Sequence, residues 1–177
     1  ENHNDTTPAS VEVTIAPKFV TVTADNKSKN YGEPEPEFTY TATGLVGSDT
    51  LTGTLSRETG DNVGTYAITQ GTLNNPNYDI AFVEGTFTIN KATPVSPETP
   101  EAAAITYGDT LSSSVLSDSS WAWLDGTIVP DRFTDCIAYI EVDDINYDYT
   151  GINGYDSANH RVVRDIVVTI NKATLTI

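Results

Sequence analysis

The chain has 177 residues, with 9 Lys+Arg against 25 Asp+Glu and a formal net charge of −16, a field that repels nucleic-acid phosphates and anionic lipid headgroups. Hydrophobic residues make up 38% of the chain, enough to build compact cores and to exclude wholesale disorder, and the length suits two small domains. No apolar run reaches the ~20 residues of a membrane helix, and Glu1-Asn2-His3-Asn4-Asp5 lacks the basic-then-apolar order of a leader, as expected of a segment excised from a longer protein.

In chain order, Val13-Thr14-Ile15-Ala16-Pro17-Lys18 reads as a closing strand, and Phe19-Val20-Thr21-Val22-Thr23 alternates with the period of two that marks a half-buried strand. Phe38 to Thr41, Thr65 to Ile68, Tyr78 to Phe82 and Thr86 to Ile89 follow the same rule, separated by turn residues such as Gly44, Gly60-Asp61-Asn62 and Asn74-Asn75-Pro76. Thr93 to Glu101 carries three prolines, which remove backbone donors and stiffen the chain into an extended connector expected to hold its neighbours apart. Beyond it, Ala104 to Tyr107, Trp121-Ala122-Trp123, Ile137 to Val142 and Asp165 to Ile170 read as strands. Leu111 to Leu116 is the best helical candidate, but its serines compete for backbone hydrogen bonds.

Internal repetition is the informative signal. Tyr31-Gly32-Glu33 is matched by Tyr107-Gly108-Asp109, Asn77-Tyr78-Asp79 by Asn146-Tyr147-Asp148, and Thr88-Ile89-Asn90-Lys91-Ala92-Thr93 by Thr169-Ile170-Asn171-Lys172-Ala173-Thr174, in the same order. The repeating unit is therefore one small domain. The predicted organisation is a tail of a preceding module or linker over 1–16, a β module over 17–93, a Pro-rich linker over 94–101, a second β module over 102–174, and the start of a following strand over 175–177. The predicted fold is all-β: two tandem, small, antiparallel immunoglobulin-like sandwiches. A β-grasp variant built on a mixed sheet uses much the same strands.

Residues about 17 to 93, with Lys27-Ser28-Lys29-Asn30-Tyr31-Gly32, Tyr40-Thr41-Ala42-Thr43-Gly44-Leu45, Gly53-Thr54-Leu55-Ser56-Arg57, Asn62-Val63-Gly64-Thr65-Tyr66 and Gly85-Thr86-Phe87-Thr88-Ile89, closely resemble the YGX-type MBG repeats of large bacterial surface proteins. Residues about 102 to 174 resemble a companion, bacterial Ig-like repeat, departing from it around Asp131 to Cys136 and carrying a loop extension from Ile152 to Val162. The resemblance implies non-catalytic stalk or adhesin modules, extracellular and anchored to the cell through regions outside this segment. It supplies no catalytic residue and no cofactor.

The residues themselves offer few chemical sites. There is no nucleophile elbow, phosphate-cradling loop or zinc-ligand spacing, and no enzyme is expected. Cys136 is alone, closes no disulfide and is expected to be buried and inert in a strand. Trp121 and Trp123 share a face if their stretch is a strand, as do Tyr147 and Tyr149, so each pair is either core or a stacking platform for a glycan or a host surface protein. Tyr155, in the loop extension, is the aromatic expected to be most exposed. Glu141, Asp143, Asp144 and Asp148 form a cluster of hard oxygen ligands of the kind calcium takes, without the spacing of an EF-hand loop; a solvated acidic surface is the plainer reading. Lys91 and Lys172 recur beside Asn90 and Asn171, where an isopeptide partner would have to come from another strand. The isolated segment is expected to be monomeric and to insert into no membrane.

Overall fold

The computed structural model describes residues 12–175. The readings placed on 1–11, His3 included, and on the last two residues of the terminal strand lie outside the described residues. The chain divides into two compact units, the first holding the residues to Lys29 with Pro34–Gly60 and Gly64–Thr88, the second holding Asn30–Glu33, Asp61–Val63 and the chain from Ile89 onward. The architecture is all-β, with thirteen strands and one short 3-10 turn among the described residues.

The first seven strands are β1 (Lys18–Ala24), β2 (Lys27–Asn30), β3 (Tyr40–Thr43), β4 (Ser56–Arg57), β5 (Gly64–Thr69), β6 (Tyr78–Val83) and β7 (Gly85–Asn90). In β1 the alternation does what period two requires: Val20, Val22 and Ala24 are buried while Phe19, Thr21 and Thr23 face water. β1 is the centre of a three-stranded sheet, antiparallel to β3 with Thr21 opposite Thr43, and parallel to β6 with Val20 opposite Ile80. The other sheet runs β2-β7-β5-β4 and buries Ile68, Phe87 and Ile89, with Phe38 set edge-on to Phe87 at 5.5 Å between centroids. Arg57 closes one end of the unit: its guanidinium lies 5.0 Å over the Phe87 ring and 5.3 Å over Tyr66, and it forks onto Glu35 at 2.5 and 3.1 Å.

The second unit carries β8 (Ile105–Thr106), a 3-10 turn (Leu111–Ser113), β9 (Ala122–Trp123), β10 (Ile137–Glu141), β11 (Tyr155–Asp156), β12 (Arg161–Asp165) and β13 (Ile170–Asn171). β11-β12-β10-β9 form an antiparallel sheet and β8 pairs with β13 in parallel. Its core gathers Trp121, Ala138, Val162 and Ile166, with Leu116, Trp123, Ile140, Tyr149, Ile152 and Tyr155 packed against them. The Ile166 N–H bonds the Cys136 carbonyl at 2.8 Å, so β12 runs on toward β13 along the line of β10.

Four expectations change. Antiparallel pairing throughout is overturned by the parallel pairs β1/β6 and β8/β13; a parallel pair needs a long connection, which the residues carrying β2 to β5 supply between β1 and β6, and alternation alone carries no strand direction. The loop extension is a hairpin, with Tyr155 opposite Val162 and Asp156 opposite Arg161, because Ile152 and Val162 bring apolar surface to the core. The strand expected over Asp165 to Ile170 is interrupted between β12 and β13. The stretch read as a Pro-rich connector falls within the second unit: Pro100 is buried, and the Ser117 N–H bonds the Glu101 carbonyl at 2.8 Å.

Candidate functional site

The repeated Tyr-Gly-acid motif builds the same turn twice. In the first copy the Glu33 N–H donates to the Asn30 carbonyl at 3.1 Å, the Glu33 carboxylate takes the Asn30 N–H at 2.8 Å, and the Tyr31 N–H donates to the Asn90 carbonyl at 2.9 Å. In the second the same three bonds join Asp109 to Thr106 at 2.9 Å, Thr106 to the Asp109 carboxylate at 2.9 Å, and Tyr107 to Asn171 at 2.8 Å. Gly32 and Gly108 sit at φ +80° and +99°, where a β-turn of this kind needs a residue without a Cβ strain penalty. A Cβ at either would meet nothing within 4 Å, so backbone conformation alone demands glycine. The Asn-Tyr-Asp motif is also reused: Asn77 accepts from the Lys18 N–H at 2.9 Å and Asn146 from the Ala92 N–H at 3.0 Å, each beside a parallel pairing of the following tyrosine.

Within the second unit a row of aromatic rings follows from these turns. Tyr31 meets Tyr147 edge-on at 5.3 Å, Tyr147 meets Tyr149 at 6.4 Å, and Tyr149 stacks on Tyr155 at 5.7 Å and 30°. Tyr147, Tyr149 and Tyr155 are therefore brought together, all half-buried. Tyr155 departs from the expected exposure because the hairpin folds its ring onto Tyr149 and the core; the exposed aromatics are Phe19, Tyr107 and Phe133. Trp121 is 5% exposed and belongs to the core, while Trp123 is half-buried with its indole N–H on the Ser114 carbonyl at 2.8 Å. The two indoles present no open pair of faces.

The acidic cluster is taken up by donors from the chain. Asp143 accepts the Asn146 N–H and side-chain amide at 3.2 and 2.9 Å, and Asp148 takes the Thr150 N–H and hydroxyl at 3.0 and 2.7 Å. Asp144 Oδ2 accepts the Tyr155 hydroxyl at 2.5 Å and faces His160 Nδ1 at 2.8 Å. The Tyr155 hydroxyl, then the His160 contact, hold the Asp144 carboxyl below its ordinary range, and the same bond pushes the Tyr155 phenol up to about 12. Glu141 is exposed at the end of β10. Lys91 donates to the Asp144 carbonyl at 2.5 Å, and Lys172 is exposed.

These shifts run against nucleophile activation, which needs a lowered pKa or an adjacent base. The Tyr155 phenol is raised, and burial followed by the Asp135 charge raises the Cys136 thiol, whose sulfur sits 3.6 Å from the Thr134 carbonyl just before β10. Sequence reasoning missed Tyr31 as part of the aromatic row and His160 as a partner of Asp144. The first was visible only as half of a turn motif; the second lies sixteen positions from its partner and meets it only because the hairpin folds back.

Residues 20–88 match the family model of the MBG domain (YGX type). That family is a non-catalytic, repeat-type domain family. No curated protein and no solved structure matches the chain.

Proposed function

We propose that the chain is a pair of tandem, non-catalytic β modules of a bacterial surface protein, MBG-type followed by a bacterial Ig-like companion, serving as a stalk or spacer that carries other domains away from the cell. The observation that carries this reading is the double construction of one design: the Tyr-Gly-acid turn and the Asn-Tyr-Asp pairing each occur twice. Small modules with separate cores suit a load-bearing array, because loss of one leaves the next folded. Antibody raised against this chain is expected to label intact producing cells, with the signal removed by external protease; labelling only after permeabilisation would contradict the reading.

A contact role for the same modules draws on the Tyr147-Tyr149-Tyr155 row, whose ring edges and flanking acids suit a glycan. A glycan array probed with wild type and Tyr155→Ala tests it.

A further inference from the structure

The strand β13 has one edge in use and one open. β8 lies along the first edge, with the Ile105 N–H on the Thr169 carbonyl and the Tyr107 N–H on that of Asn171. Peptide groups alternate sides along a strand, so the groups of Val168 and Ile170 point the other way. Among the described residues β13 pairs with β8 alone, whereas β7, the strand of matching sequence, is flanked by both β2 and β5. No strand stands beside β13 in the place that β5 holds beside β7, because β10 begins only at Ile137 and the chain before it lines the edge without pairing to it. What remains is an open groove of about 620 Å³ floored by Ile166, Val168 and Ile170 and walled by Pro130 and Cys136, with Val167 90% exposed at its side.

Such an edge takes an extended segment, which adds a strand by main-chain hydrogen bonds and seats alternate side chains in the groove. The chain itself carries one. Val13-Thr14-Ile15 repeats the sequence Val168-Thr169-Ile170, alternates apolar and polar, and is unpaired in any strand, with Val13 79% and Ile15 90% exposed. Its flanking Glu12 is opposite in charge to Arg132 on the groove's lip, where Asp131 stands beside that arginine.

We propose that the open edge of β13 is a strand-accepting site whose occupant is the Val13 to Ile15 segment of a second copy of this chain. Donor and acceptor are different surfaces, so the contact is head-to-tail and each added copy leaves one of each free. This departs from the monomer expected of the segment, and it does not depend on the stalk reading. The test is sedimentation equilibrium of the full chain over a concentration series, with Ile15→Asp as a donor-dead variant, Val167→Asp as an acceptor-dead variant, and their equimolar mixture. Both residues are solvent-exposed, so the fold should be unaffected, and circular dichroism checks it. The wild type is expected to rise above single-chain mass with concentration. Each variant alone should bind itself at least tenfold more weakly, and the mixture should return to a dimer and stop there. A synthetic peptide spanning residues 11–17, added in excess, should dissolve the wild-type oligomer independently of either variant. A wild type that stays at single-chain mass throughout, a variant that associates like wild type, a mixture that stays monomeric, or a peptide without effect would each overturn the proposal.

Discussion

The carboxylate of Glu33 accepts the main-chain N–H of Asn30 at 2.8 Å while Glu33 returns its own N–H to the Asn30 carbonyl at 3.1 Å. Residue 30 is thereby bonded twice across Gly32, whose φ of +80° no side chain favours. Forcing a Cβ into that left-handed conformation costs roughly 1–2 kcal/mol. Gly32→Ala and Gly108→Ala are each expected to destabilise the chain by about that amount in urea unfolding, whereas Gly151→Ala, with open space around it and no positive φ, should change little.

Arg57 forks onto Glu35 and lies over two rings, a geometry that a lysine does not reproduce. The Arg57 hydrogen bond is the largest influence holding the Glu35 carboxyl below its ordinary range. A carboxylate with a depressed folded pKa contributes stability above its unfolded pKa, near 4.5, and loses it as pH falls through the folded value. Glu35→Gln should therefore flatten the acid limb of the stability curve below about pH 5, and Arg57→Lys should weaken the unit even at neutral pH. Thermal melts between neutral and acid pH read both.

Trp121 sits in the second core with Ala138, Val162 and Ile166, and truncating a buried aromatic to alanine costs about 3–5 kcal/mol. Trp121→Ala is expected to lose that much. Trp123→Phe, which keeps the ring and removes the N–H bonded to Ser114, should lose about 1 kcal/mol. Indole emission of the native chain should be blue-shifted, and the Trp121 component should resist quenching by iodide.

The Tyr155 phenol, raised to about 12 by its bond to Asp144, ionises later than an ordinary tyrosine. Its contribution to stability is complete below the unfolded tyrosine value near 10 and is lost as pH rises through the folded value. In an alkaline ultraviolet titration one tyrosine should titrate late, and Asp144→Asn should bring it back toward the normal range. An unchanged titration would show that Asp144 does not hold this hydroxyl.

Much of the fold was legible because the signals were local. Val20, Val22 and Ala24 alternate on β1 as their spacing requires, and the Tyr-Gly-acid turn is written in three consecutive residues. What escaped was set by distant partners. Nothing in the alternation of Tyr78 to Val83 reveals that it runs parallel to β1, and nothing in the sequence around Tyr155 reveals its burial, because its ring partner Tyr149 and its acceptor Asp144 meet it only through the hairpin. The second repeat was harder than the first because Pro94, Pro97 and Pro100 interrupt its opening stretch and β12 and β13 divide its closing strand.

The central claim is that two modules of one design fold around separate cores. Pulling single molecules of the full chain from both ends measures this directly. Two unfolding events of comparable size are expected, each releasing roughly 20–25 nm at the ~3.5 Å an extended residue spans. A single event that releases the length of both modules at once would contradict the account.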